Sequence, residues 1–196
     1  MDKPLPLNAT IRRLAAADKE LFRAHLLRLD PESRHDRFHG GASDDFLERY
    51  ADHCFKPSDA VFGAFIDGEL RGAAELRPLE ASDAFSSGER CHAEAALSIE
   101  RAFRGHGLGA ELFARLTRAA EENRIVEIDF TCGADNKAMQ GLARKFSAEM
   151  HFNADHVTGR LRARRPAPRR GALQGLAGVG EGNARSLTSG ERSSYS

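Results

Sequence analysis

HAEAALSIERAFRGHGLGAELFARLTRAAE, residues 92–121, carries the clearest structural pattern in the chain. His92 to Ile99 has the character of a strand. From Leu108 to Glu121, Leu108, Leu112, Phe113, Leu116 and Ala119 or Ala120 recur at helical spacing and would bury one stripe. Between them lies Arg104-Gly105-His106-Gly107-Leu108-Gly109, so the order is strand, glycine turn, helix. Glycine permits close approaches that a side chain would obstruct. A helix start also leaves N–H groups unpaired and carries partial positive charge, which suits a diphosphate. Arg104 could add a charge-assisted contact. An ordinary tight turn is the competing account of the three glycines, and their position before a well-formed apolar helix is what favours the anion site.

The hexapeptide is neither of the two common nucleotide motifs. The order is G-x-G-x-G rather than G-x-G-x-x-G, and the G-K-[ST] of the ATP or GTP loop is absent.

Outward from this unit, Ala9 to Ala17 reads as a first strand and Lys19 to Arg28 as a short helix with Leu21, Phe22, Leu26 and Leu27 at helical spacing. Asp30-Pro31 offers a break. A second helix begins with Ser43 as N-cap, with Asp44 and Asp45 in its first turn. Ala60 to Ile66 and Glu69 to Leu76 surround Asp67-Gly68, a hairpin signal. A polar turn is expected at Ser82 to Arg90. Ile125 to Phe130 returns as a strand, and Met139, Leu142, Ala143 and Phe146 mark a helix capped by Asp135 or Asn136. Met150 to Asn153 and Val157 to Leu161 close the domain as strands. The expected architecture is a mixed α/β domain, an antiparallel meander with one strand–helix–strand crossover. Residues 1–162 form that domain, and residues 163–196, rich in Pro, Gly, Ser and Arg, read as a flexible tail.

Composition narrows the function classes. The 196 residues carry 29 basic and 29 acidic side chains, so bulk electrostatics argues against nucleic acid as a partner. Arg160, Arg162, Arg164, Arg165, Arg169 and Arg170 make the start of the tail basic, but no aromatic series accompanies them. Cys54, Cys91 and Cys132 are far apart and fit buried apolar positions in a reduced protein. No apolar run reaches the length of a membrane span, and no secretory leader is evident, so the cytoplasm is the expected compartment and no membrane partner is expected.

These residues in this order resemble the GNAT superfamily of acyl-coenzyme-A-dependent N-acyltransferases, most often acetyltransferases. Arg104-x-x-Gly107-x-Gly109 fits the family's [RQ]-x-x-G-x-[GA] pyrophosphate signature. The family's second signature runs approximately N-x-x-A-x-x-L-Y-x-K-x-G-F. Here it reads NKAMQGLARKFSA, where Asn136, Leu142 and Lys145 match, Met139 replaces the small residue and Ser147-Ala148 replaces Gly-Phe. Ala143 stands where many members place a tyrosine that protonates the departing thiolate, and a methyl group cannot exchange that proton.

The resemblance implies a mostly antiparallel sheet flanked by helices, with two neighbouring strands splayed around acetyl-CoA or another acyl-CoA. Backbone groups at Leu97, Ser98 and Ile99 would bind the pantetheine amides. Arg104, Gly105, His106, Gly107, Leu108 and Gly109 would hold the pyrophosphate, and Asn136 the cofactor arm. The acceptor would be an amine of a small molecule or protein, and the chain a monomer or homodimer. Glu94, near the start of the central strand, is the leading general base; a solvent-facing glutamate is its bland alternative, and His92 on the same face a weaker candidate. No metal site is expected: His25, His35, His39, His53, His151 and His156 lack ligand spacing, and His35-x-x-x-His39 lacks a helical context and further ligands. Asp44, Asp45, Glu48 and Asp52 could offer an acidic approach to a cationic amine or form an ordinary wet face. Two rivals to an active enzyme stand beside it: a cofactor-binding regulatory domain that lost proton transfer, and a scaffold acting through its basic tail.

Overall fold

The computed structural model describes residues 5, 6, 8–79 and 91–163. The expected turn at Ser82 to Arg90 and the tail from residue 164 onward lie outside them. The strands are β1 (Ala9–Arg13), β2 (Ala60–Ile66), β3 (Glu69–Pro78), β4 (Cys91–Ile99), β5 (Ile125–Gly133), β6 (Glu149–Phe152) and β7 (His156–Arg162). The helices are α1 (Lys19–Leu27), α2 (Pro31–Phe38), α3 (Asp44–Asp52), α4 (Leu108–Glu122) and α5 (Lys137–Lys145). The sheet order is β1-β2-β3-β4-β5-β7-β6, antiparallel throughout except for the parallel pair β4–β5, which α4 connects.

The local chemistry explains the elements. Asp67 and Gly68 both have positive φ, 51° and 81°, as the two-residue turn joining Ile66 to Glu69 requires. Ser43 caps α3 by accepting from the Phe46 N–H at 3.2 Å. On one face of the sheet, Leu112, Phe113 and Leu116 of α4 pack with Ile128, Phe130 and Ala143. On the other, Phe22, Leu26 and Leu47 of α1 and α3 pack with Val61, Phe65 and Leu70. Helices therefore cover both faces of one sheet.

Two sequence expectations need correction. The first strand ends at Arg13, and Ala16–Asp18 forms a 3-10 turn leading into α1. Asp30-Pro31 starts a helix instead of simply breaking the chain: the Asp30 carboxylate accepts from the Ser33 N–H at 3.1 Å, and Pro31 occupies the first turn, where its missing N–H costs nothing. Helix α2 escaped the hydrophobic pattern because PESRHDRF is almost wholly polar. At the far end, Ala163 is buried and still donates to the Val126 carbonyl at 3.0 Å. No helix among the described residues is long and apolar enough to cross a membrane.

Gly159 of β7 lies opposite Phe130 of β5, and a Cβ added there would sit 1.9 Å from the ring's Cζ. Gly159→Ala is expected to destabilise the protein by about 1–3 kcal/mol through overpacking, measured by urea unfolding. Combining it with Phe130→Leu should cost less than the sum of the two single changes; additivity would show that the ring and the glycine are not coupled.

Candidate active site

The parallel pairing of β4 with β5 runs through His92↔Glu127 and Ala93↔Ile128 and ends at Glu94↔Asp129. β4 nevertheless continues to Ile99 and β5 to Gly133. On its other edge β4 stays paired with β3 as far as Gly72↔Ile99. The two strands therefore part after Glu94, and the edge of β4 facing the gap presents backbone N–H and C=O groups with no strand partner. A cavity of about 460 Å³ occupies the gap, a size suited to small-molecule ligands.

One end of the cavity is built for an anion. Gly105 and Gly107 both have φ of 77°, the left-handed region that glycine enters without strain. Gly107 is the N-cap of α4 and no side chain caps this terminus. The helical ladder begins with Glu111 N–H donating to the Gly107 carbonyl at 3.1 Å. The N–H groups of Leu108, Gly109 and Ala110 thus have no helical acceptor behind them. A second helix start adjoins: Asn136 caps α5, its Oδ1 accepting from the Met139 N–H at 2.9 Å.

Of the residues expected to hold the cofactor, Leu97, Ser98, Ile99, Arg104, Gly105, Gly107, Gly109 and Asn136 line the cavity. His106 and Leu108 do not; the Leu108 side chain is in the core, which leaves its backbone N–H as the group it offers. Arg104 has structural partners the sequence did not disclose. Its Nε donates to the Ile99 carbonyl at 3.1 Å, its Nη2 to Ser33 Oγ at 2.8 Å, and its Nη1 lies 3.7 Å from Asp36. It ties the glycine loop to α2.

At the opposite end stands Glu94, exposed, lining the cavity and free of hydrogen bonds or ion pairs among the described residues. Asp129, its partner across the strand pair, accepts from Arg160 Nε at 2.7 Å. His92 lies outside the cavity, its Nδ1 3.5 Å from Glu127 and 3.7 Å from Asp129. The acidic face of α3 is not part of the wall: Asp44 pairs with Arg34 at 2.7 Å, and Asp52 with Lys19 and Arg23. Helix α2, missed in the sequence, supplies Ser33, Asp36 and Arg37, and its cap His39. Burial raises the Asp36 pKa, against the pull of Arg104.

Two buried polar networks fix the walls. Glu75 of β3 accepts from Arg37 at 2.7 Å, Tyr50 at 2.8 Å and Arg77 at 2.5 Å. Burial alone would raise its pKa, but Arg37 and Arg77 outweigh that and hold it low. Elsewhere His25, wholly buried, has Nδ1 3.2 Å from Glu100 and Nε2 2.9 Å from Ser98 Oγ. A carboxylate can only accept, so Nδ1 carries the proton and Nε2 accepts the Ser98 hydroxyl. Glu100 also receives Arg28 and Arg71, each at 3.0 Å.

The remaining candidates resolve simply. Cys54 and Cys132 are buried; burial raises both thiols, Cys54 to about 12, so neither is a ready thiolate. His35 does lie in a helix, contrary to expectation, yet no group of metal-binding side chains occurs among the described residues. Ala143 is 0% exposed and packs in the core beneath α5, off the cavity wall. Ser147 has φ of 58°, the conformation for which the family's signature uses glycine.

The sequence profile of the acetyltransferase (GNAT) family matches residues 24–147. An acetyltransferase of Pseudomonas aeruginosa is 33% identical over 137 residues, spanning 67% of this chain and 70% of that protein. Among solved structures, the GNAT domain of S. lividans PAT has a TM-score of 0.64 at 20% identity, covering 79% of this chain and 90% of its own. The Salmonella typhimurium protein yncA, solved with its cofactor acetyl-CoA, has a TM-score of 0.60 at 17% identity, with 82% and 97% covered.

Burial, opposed by Glu100, lowers the His25 pKa from 6.5. Below that pH the unfolded chain binds a proton that native His25 refuses, so this contribution to stability is present above pH 6.5 and is lost as pH falls. His39 shifts in the same direction. His25→Gln should flatten the decline of Tm between about pH 7 and 5; an unchanged slope would assign the decline to other groups.

Proposed function

The chain belongs to the acetyltransferase (GNAT) family, and on that footing we propose that it transfers an acyl group, acetyl in the first instance, from acyl-coenzyme A to an amine of a small molecule or protein. The observation that carries the proposal is the parted β4–β5 pair, with an uncapped helix start at one end of its cavity and the exposed carboxylate of Glu94 at the other.

The physical chemistry assigns roles along this axis. The diphosphate lies against the N–H groups of Leu108 to Ala110, where the helix dipole adds to their hydrogen bonds. Asn136 keeps its Oδ1 in the α5 cap, leaving its Nδ2 to donate to the cofactor arm. The pantetheine amides complete the hydrogen bonding of the β4 edge from Leu97 to Ile99, much as a further strand would. A backbone N–H there polarises the thioester carbonyl and stabilises the oxyanion as the amine attacks. Glu94 takes a proton from the incoming ammonium, directly or through water, and so frees the nucleophile. Attack is direct, with the amine held against the thioester by the walls of the cavity.

A second reading rests on Ala143. A domain without the family's tyrosine would bind acyl-CoA and respond to it without turning it over. Acetyl-CoA binding with no amine-dependent thiol release across a panel of small amines and lysine peptides would support that reading; thiol release that depends on an amine supports transfer.

Ala110 is the third residue of α4 and lines the cavity. A glutamate there suits the helix start, contributing about 0.3–1 kcal/mol, but opposes a bound diphosphate. Ala110→Glu is expected to keep or raise Tm while weakening acetyl-CoA binding by about tenfold or more, read by calorimetry; unchanged affinity would move the cofactor elsewhere. Glu94→Gln should leave that affinity intact and lower kcat by about 100-fold, and equal turnover across pH would remove Glu94 from the chemistry.

A further inference from the structure

Acyl transfer from a thioester moves two protons. The ammonium must lose one before it attacks. After attack the nitrogen of the adduct is cationic and must lose another, while the sulfur departs as a thiolate that needs one. Glu94 accounts for the first. Ala143 cannot supply the second, being a buried methyl off the cavity wall.

Helix α2 carries a group in the required place. Ser33, Asp36 and His39 recur every third residue and line the cavity. Ser33 marks the diphosphate end, where it accepts from Arg104. His39, six residues further along the chain and so roughly 9 Å along the helix axis at about 1.5 Å per residue, lines the cavity on the side away from that anchor, as does Glu94 of β4. Along β4 the distance from Ile99 to Glu94 is roughly 16 Å at about 3.3 Å per residue. A cofactor anchored at α4 and extended along that edge brings its thioester toward the His39 end.

The backbone of His39 is also unusual. It caps the C-terminus of α2 in the left-handed conformation, φ 57° and ψ 28°, with its N–H on the His35 carbonyl at 2.8 Å. Left-handed caps are ordinarily glycine. Gly40 and Gly41 follow directly, yet the strained position holds an imidazole. Strain of this kind clusters at functional sites, although Phe55, Asp67, Arg124 and Ser147 also have positive φ, so at His39 it is the cavity-lining imidazole that gives it meaning.

We propose that His39 is the proton carrier of the transfer step: its neutral imidazole takes the proton shed by the amine nitrogen as the N–C bond forms and returns it to the sulfur as the C–S bond breaks. The imidazole ends the cycle neutral, and the proton held by Glu94 passes to solvent. The charged and titratable groups around His39 are Arg37 and His35 on its own helix, Glu94 on β4 and His156 on β7. Burial, with Arg37, His156 and His35, lowers its pKa against the opposing effect of Glu94, and the net shift favours the neutral ring.

The inference rests on the acyl-transfer reading, and the test separates the two in the full chain. His39→Asn keeps a residue that tolerates the left-handed region, and His39→Gly relieves the strain and leaves space for an imidazole. Both should fold with Tm equal to or above that of the parent and bind acetyl-CoA with unchanged affinity. Both should lose amine-dependent thiol release by about 100-fold or more. Added imidazole should restore turnover to His39→Gly and not to His39→Asn. Unchanged turnover in both variants would overturn the carrier role and leave the acyl-transfer reading standing. Turnover lost without imidazole rescue, and with the acidic limb of the kcat profile unmoved, would overturn it by marking His39 as wall alone. No turnover by the parent chain with any amine would overturn both.

Discussion

The parallel pairing of β4 with β5 stops at Glu94↔Asp129, and the site depends on that stop. Had the ladder continued to Ile99, the backbone groups of both strands would have satisfied one another and closed the sheet. Because it ends early, an edge of β4 inside the sheet is left to bind something else. Buried or half-buried backbone groups require partners, so a gap in a central ladder is tolerable where water or a ligand completes it. The same fork sets the geometry of the chemistry, with a helix start at one end and a carboxylate at the other.

Keeping the fork open requires rigid walls, and buried polar contacts supply them. Arg104 links the glycine loop to α2 through Ser33 and Asp36, so side-chain contacts join the wall to the anion site. His25 and Glu100 join α1 to the end of β4 through Ser98. Glu75, buried in β3, draws Arg37, Tyr50 and Arg77 around it. Removing one partner from such a cluster strands a charge or a hydrogen-bonding group away from water, which is costly out of proportion to the contact itself. Apolar packing alone would have stabilised the layers without fixing a polar, short helix such as α2 in one position.

Much of the fold was legible because its signals are local. Alternation and β propensity marked the strands, Asp67-Gly68 marked the hairpin, and the stripe from Leu108 to Ala120 marked α4. The anion site was legible for the same reason, since a glycine turn entering an apolar helix is contiguous in the chain. Helix α2 was not, because PESRHDRF has no apolar stripe and is held by its Asp30 cap and by ion pairs to distant residues. His39 was overlooked with it. Its sequence neighbours carry no catalytic pattern, although the Asp30-Pro31 pair at the start of the helix was a usable signal, read as a break when it is also a cap and first turn.

The hairpin at Asp67-Gly68, the crossover at α4, the glycine turn and the absence of a hydroxyl at Ala143 are properties of neighbouring residues, and the chain's sequence settles each of them. The folded arrangement alone establishes that Arg104 is held by α2, that the acids of α3 lie outside the cavity wall, and that His39 lines the same cavity as Glu94. Those facts depend on where separate elements cross, and the crossings are set by packing and by ion pairs between residues far apart in the chain, which no local pattern records.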